Sequence, residues 1–229
     1  MQGCHALATT PMLVAPRGSP VATVRPVTTA HRLPERIPGP GCLLLRRWVP
    51  ADAELVARAV AESLEHLRPW MPWVTQEPLS LESRKAMIEE WEREWLRGGD
   101  VIMGVFVSAR VAGGCGLHHR IGPGGLEIGY WTHPAFLRRR IATTAVALLT
   151  DAAFALPGIT QVEIHHDKAN EASARIPRKL GYRFIDQLQD EREAPAEVGV
   201  ECRWRLTRER WTARQGLMTG AARLTSLPR

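Results

Sequence analysis

The chain has 229 residues, of which 45% are hydrophobic and 24% charged, with a formal net charge of +6. That length is enough for a sizeable core, and the balance is that of an ordinary globular protein. No apolar run approaches the roughly 20 residues of a membrane helix; the longest, 141–156, is broken by Thr143, Thr144, Thr150 and Asp151. The positive charge is spread along the chain, which fits either a generally basic surface or an anionic partner such as a phosphate. Cys4, Cys42, Cys115 and Cys202 stand far apart with no C-x-x-C pair. Such spacing suits free thiols in a reducing cytoplasm better than a disulfide framework or a zinc site.

Residues 1–40 carry Pro11, Pro16, Pro20, Pro26, Pro34, Pro38 and Pro40, and no acid before Glu35. A segment of this kind buries too little apolar area to offset its ordering entropy, so a disordered extension is expected. Its basic, acid-free character is also that of a targeting peptide, but the prolines argue against the amphipathic helix such a peptide needs. From Cys42 the texture changes. "CLLLRRW" reads as a short strand. Asp52 is then placed to cap a helix whose face carries Leu55, Val56, Ala59, Val60, Leu64 and Leu67. Pro69 and Pro72 break it, and a second amphipathic helix is expected over 80–97, before Gly98-Gly99. A meander follows, with strands at 101–107, 111–119 and 126–133 and a Gly-Pro-Gly-Gly turn at 122–125. An apolar helix over 141–156 stops at Pro157-Gly158. The spacing then predicts a strand at 161–166, a short helix over 170–180 closed by Gly181, and strands at 182–186 and 199–209. The sum is one α/β domain over 41–208, a mixed sheet with helices on both faces, followed by a loose tail over 209–229.

Three stretches in this order carry a resemblance: "HLRPWMPW", "LEIGYWTHPAFLRRRIATTAVALLTDAAF" and "HHDKANEASARIPRKLGYRF". Together they resemble the GNAT superfamily of N-acetyltransferases. Within it they are similar to the branch that acetylates ribosomal-protein N-termini, the L7/L12-type serine acetyltransferases. The resemblance implies a central, mostly antiparallel twisted sheet that splays where acetyl-coenzyme A binds, and no metal. It also implies an amine acceptor, either a protein N-terminus or a small molecule, and admits a homodimer. No membrane partner is expected, and no recognition module or interleaved aromatic-basic run points to nucleic acid.

The turn Leu137-Arg138-Arg139-Arg140-Ile141-Ala142 falls on the family's pyrophosphate pattern [QR]-x-x-G-x-[GA]. A helix N-terminus favours an anion through unpaired N–H groups and its dipole. Glycines normally let the backbone approach, and here Arg138 and Arg140 replace them. The turn therefore reads either as a cradle built by Arg138, Arg139, Arg140, Ile141, Ala142 and Thr143, or as a solvated basic turn that has lost its cofactor. In the second case the protein is a GNAT-fold binding or regulatory module. The resemblance adds Tyr130, Trp131, Thr132, Asn170 and Ser173 to the cofactor contacts.

Glu127 is an acid in an apolar strand, expensive unless paired or used. It is either the general base for the acceptor ammonium or a structural ion-pair partner of a nearby arginine. Asn170 and Ser173 equally fit a helix cap. By resemblance Ser173 would also protonate the leaving thiolate, because the Tyr that many members use one turn on is Pro177 here. Trp70 and Trp73 read as an acceptor groove or as core, and Trp91 and Trp95, four apart on a helix, as packing. Neighbours on a strand face opposite ways, so neither His118-His119 nor His165-His166 can chelate one ion, although a histidine relay at the acceptor site remains open. The function expected is direct acetyl transfer from acetyl-coenzyme A to an amine in a ternary complex.

Overall fold

A computed structural model describes residues 32–215. Cys4, most of the Pro-rich segment and the last part of the tail lie outside the described residues. An eight-stranded sheet runs through the molecule in the order β1-β2-β3-β4-β5-β6-β8-β7. Its strands are β1 (Arg36–Pro38), β2 (Leu43–Arg47), β3 (Val101–Val107), β4 (Arg110–His118), β5 (Gly125–Thr132), β6 (Gln161–Asp167), β7 (Arg183–Gln189) and β8 (Val200–Thr207). Every neighbouring pair is antiparallel except β5 and β6, which run parallel.

Helices α1 (Ala53–Ala61), α2 (Leu64–Leu67) and α3 (Leu81–Arg97) precede the meander. Of these, α1 and α3 pack on one face of the sheet. α4 (Ile141–Ala155) and α5 (Glu171–Leu180) pack together on the other. Each face has its own core. Val146 and Leu149 of α4 pack with Leu126, Ile128 and Ile164 of the sheet on one face, and Val56 of α1 and Ile88 of α3 pack with Trp48, Phe106 and Trp131 on the other. The mixed sheet with helices on both faces is the architecture the sequence predicts.

Several ends are where local chemistry puts them. Ser80 accepts the Ser83 N–H at 3.0 Å and starts α3, and Gly98 and Gly181 close α3 and α5 in the left-handed region. Four details differ from expectation. Strand β1 forms inside the segment read as an extension, and Leu33 ahead of it is 3% exposed. The first helix is split at Glu62–Ser63, where the Ser63 hydroxyl donates to the Ala59 carbonyl at 2.7 Å and competes with the helical ladder. Asp52 does not cap α1; its carboxylate takes the Val49 N–H at 2.9 Å and pairs with Arg46 at 2.6 Å. Residues 208–215, read as the end of the last strand and the start of the loose tail, are helical, and the buried Trp211 donates to Asp151 at 2.6 Å.

Candidate active site

The parallel joint between β5 and β6 is short. Its register covers Gly125↔Gln161, Leu126↔Val162 and Glu127↔Glu163 and then ends. Beyond Glu127, β5 keeps β4 as partner while β6 follows β8, so the two strands diverge. The gap opens into a cavity of about 490 Å³, bordered by Glu127–Trp131 on one side and by His165, His166, Asn170 and Ser173 on the other. The His133 N–H bonds to Ala112 O at 2.9 Å across β4. Backbone direction alternates along a strand, so the N–H groups of Tyr130 and Thr132 face the open side. They are donors without a ladder.

The arginine turn joins the 3-10 turn Pro134–Phe136 to α4. Arg138 and Arg140 have φ angles of 59° and 61°, the left-handed region that glycine adopts freely. The backbone therefore keeps the shape that the missing glycines would give. Arg140 occupies the N-cap of α4 without a side-chain cap, and no acid sits in the first turn. The first free helical N–H groups belong to Ile141, Ala142 and Thr143. All three arginines are exposed, and the Arg139 guanidinium lies 5.2 Å from the Phe136 ring. A left-handed turn, an uncapped 15-residue helix and three guanidinium groups fit a pyrophosphate.

At the other end of the gap, Asn170 does cap α5, its Oδ1 accepting the Ser173 N–H at 3.0 Å. Ser173 Oγ lies 2.8 Å from the Tyr130 hydroxyl, which also donates to the Ser173 carbonyl at 3.2 Å. That carbonyl is available because Pro177, four residues on, has no N–H to give it. The same proline that removes the tyrosine expected there thus leaves an acceptor for a tyrosine from β5. Burial pushes the Tyr130 phenol far up, against a smaller downward pull from Ser173. Sequence reading placed Tyr130 among the cofactor contacts and gave its hydroxyl no partner. Its hydroxyl partnership spans 43 residues in sequence, and no local pattern announces it.

Glu127 lies on the opposite face of the sheet from Tyr130, as strand alternation requires. Its carboxylate is 3.7 Å from Arg120 Nη1, the arginine partner the sequence suggests, and 3.7 Å from His165 Nδ1, which it does not. Sequence reading missed how central His165 is: Nε2 meets Glu163 at 2.6 Å and Nδ1 lies 3.3 Å from Glu201. Burial disfavours the imidazolium, but the bonds to Glu163 and Glu201 and the charge of Glu127 outweigh it and raise its pKa to about 9. Glu163, 1% exposed, is also bound by Arg205 at 2.6 Å. Burial would raise its pKa, yet His165 and Arg205 hold it below the ordinary carboxylate value. His166 faces the other way and accepts from Trp204 Nε1 at 2.9 Å.

The outer rim carries Asp190, Glu191, Glu193 and Glu197, so carboxylates crowd this mouth of a chain that is basic overall. Trp70 and Trp73 both border the cavity. Trp73 is also core, 8% exposed and 6.5 Å from the Trp131 ring. Trp131 likewise packs under α1, which leaves its backbone rather than its ring toward the gap. Trp91 and Trp95 pack as expected, Trp95 beneath the Arg47 guanidinium at 4.0 Å. Among the described residues no group of three or more His, Cys, Asp or Glu is arranged to hold a metal ion, and no helix is long and apolar enough to cross a membrane.

Three comparisons place this architecture. The acetyltransferase (GNAT) domain family matches residues 43–183. YdaF of Bacillus subtilis (strain 168), provisionally named a ribosomal N-acetyltransferase, is 26% identical over 142 residues, 61% of this chain and 77% of its own. RimL, a ribosomal L7/L12 α-N-protein acetyltransferase solved with coenzyme A, superposes with a TM-score of 0.70 at 18% identity. That match covers 77% of this chain and 99% of RimL. Mycobacterium smegmatis RimJ, also solved with a coenzyme A species, gives 0.69 at 20%, covering 82% and 92%. At these identities the two structures speak for the fold alone.

Proposed function

Since the chain belongs to the GNAT acetyltransferase family, it is an acetyl-coenzyme A-dependent N-acetyltransferase, and we propose that its acceptor is the α-amine of a protein N-terminus. The observation that carries this reading is the gap between β5 and β6, with Glu127 on one face and the Tyr130–Ser173 pair on the other. Bound acetyl-coenzyme A supplies an activated acetyl thioester. The chain's own groups hold it and move protons. Arg138–Ala142 would take the pyrophosphate, and the open N–H groups of Tyr130 and Thr132 would stabilise negative charge on a carbonyl oxygen. Glu127 would draw in the acceptor ammonium and accept its proton, directly or through water. Ser173, backed by Tyr130, would supply a proton to the departing sulfur. Cys115 borders the cavity, but it is buried and burial pushes its thiol up to about 12, which disfavours a thiolate nucleophile and supports direct transfer.

Two features favour an N-terminus. The carboxylate-lined mouth suits a cationic acceptor, and Trp70 and Trp73 offer flat apolar walls to the residues behind it. An α-amine is about a tenth neutral near pH 7, whereas a lysine side chain is neutral about once in 2,500. The names of YdaF and RimL point to ribosomal proteins as the acceptors of those relatives, and an acceptor of that kind would place this enzyme in the cytoplasm. Mass spectrometry of peptides with free N-terminal Ser or Ala tests the assignment. Acetylation at the α-amine is expected, and labelling confined to lysine side chains rejects it. Glu127→Gln should lower turnover at least tenfold with acetyl-coenzyme A affinity little changed; wild-type turnover would refute its role as base.

A further inference from the structure

His118 ends β4 and stands directly across the ladder from Glu127. Residues so paired share a face, with β-carbons about 4.5–5.5 Å apart. The ring is 4% exposed and borders the cavity. Its Nδ1 lies 2.7 Å from Oδ2 of Asp100, just ahead of β3, and the other Asp100 oxygen takes the His119 N–H at 2.9 Å. Burial works against that carboxylate, but the bonds from His118 and His119 prevail and hold its pKa well below the usual range. An ionised carboxylate only accepts, so the proton of a neutral His118 sits on Nδ1 and the lone pair on Nε2.

That nitrogen makes no hydrogen bond to any described residue. Two cavity-lining glycines leave it room: a β-carbon at Gly116 would come within 3.1 Å of Nε2, and one at Gly129 within 3.3 Å. An oriented imidazole with a vacant acceptor atom therefore faces the acceptor chamber. Glu127, by contrast, already lies between the Arg120 and His165 cations. Carboxyl groups in general titrate more than three units below an α-ammonium, so a proton placed on one alone returns to the amine. Imidazoles in general lie only about 1.5 units below.

We propose that His118, positioned by Asp100, is the proton sink of the acceptor site. The step is a transfer of one proton with no change of oxidation state. The ammonium N–H bond breaks as a carboxyl O–H forms on Glu127; that O–H breaks as an O–H forms on a water in the chamber, and the same water gives up a proton as Nε2–H forms on His118. The electron pair left on the amine nitrogen is the nucleophile. Asp100 stabilises the imidazolium, which returns its proton to water after the product leaves. The charged groups around the ring are Asp100 ahead of β3, His119 and Arg120 on its own hairpin, and Glu127 on β5, with His165 beyond Glu127 on β6. This role rests on the amine-acetylating function proposed above.

The test is the pH dependence of turnover on a Ser-initiated peptide, from about pH 5 to about pH 9. In the wild type turnover should show an acid limb, because a proton already held at the relay leaves none of its groups free to take the acceptor's. His118→Gln should lower kcat at least tenfold near neutral pH, leave the KM for acetyl-coenzyme A within twofold, and abolish that limb. Asp100→Asn should give an intermediate loss. An unchanged kcat and pH profile in His118→Gln overturns the proposal. Because the ring is buried, nitrogen NMR of the wild-type imidazole gives a reading that no variant can confound. At slightly alkaline pH the proton should be found on Nδ1; a proton on Nε2 overturns the proposal equally. A wild type that acetylates no amine refutes the transferase function itself, whereas an active wild type with an unaffected His118→Gln removes only the role of His118.

Discussion

Arg140 holds a left-handed backbone that costs a side-chain-bearing residue about 1–2 kcal/mol. Arg140→Gly should therefore raise stability by about 1 kcal/mol in a urea titration, with acetyl-coenzyme A affinity unchanged or improved by calorimetry. A tenfold loss of affinity would show that the guanidinium itself contacts phosphate. His165 gives a second test at this scale. Its folded pKa of about 9 lies above the ordinary 6.5, so its contribution is complete below about pH 6.5 and is lost as pH rises through 9. Wild-type stability should fall by about 3 kcal/mol across that window, and His165→Gln should flatten the fall; parallel curves for the two proteins would deny the imidazolium its role. The departure of Leu137–Ala142 from the glycine pattern is plain in the sequence. That the arginines would nonetheless adopt the glycine conformation is not, because the surrounding turn sets φ. His165 among three carboxylates was equally hidden, since its partners come from three different strands.

At the scale of elements, α5 shows what pattern reading gains and loses. Its length, the Asn170 cap and the Gly181 stop follow from local chemistry, as do α3, α4 and the meander. The exchange between Pro177 and Tyr130 does not, because it links a missing helical donor to a strand on another part of the chain. Tyr130→Phe should cost about 1–2 kcal/mol by stranding the Ser173 carbonyl and hydroxyl, and should slow turnover more than it weakens cofactor binding. Full turnover in that variant would mean that Ser173 works alone. Strand β1 escaped notice because three residues carry no period. The split of the first helix escaped because a serine back-bond, not a proline or glycine, makes it. The insertion of β8 between β6 and β7 is decided by long-range pairing, to which alternation along one strand is blind.

For the whole molecule, cofactor binding and stability are linked. Acetyl-coenzyme A at 100 times its Kd adds about 2.7 kcal/mol, which in a domain of this size raises Tm by about 5–10 °C. A melting curve unmoved at millimolar acetyl-coenzyme A would contradict a working cofactor site. The same molecule is mechanically uneven. Five strands lie on one side of the β5–β6 joint and three on the other, and only three registered positions stitch them together. The two half-sheets thus behave like covers of a book with a very short spine. Whatever lies in the gap and touches both covers works as a clasp, so amide exchange should slow along the free margins of β5 and β6 when the clasp is in place and quicken when product departs.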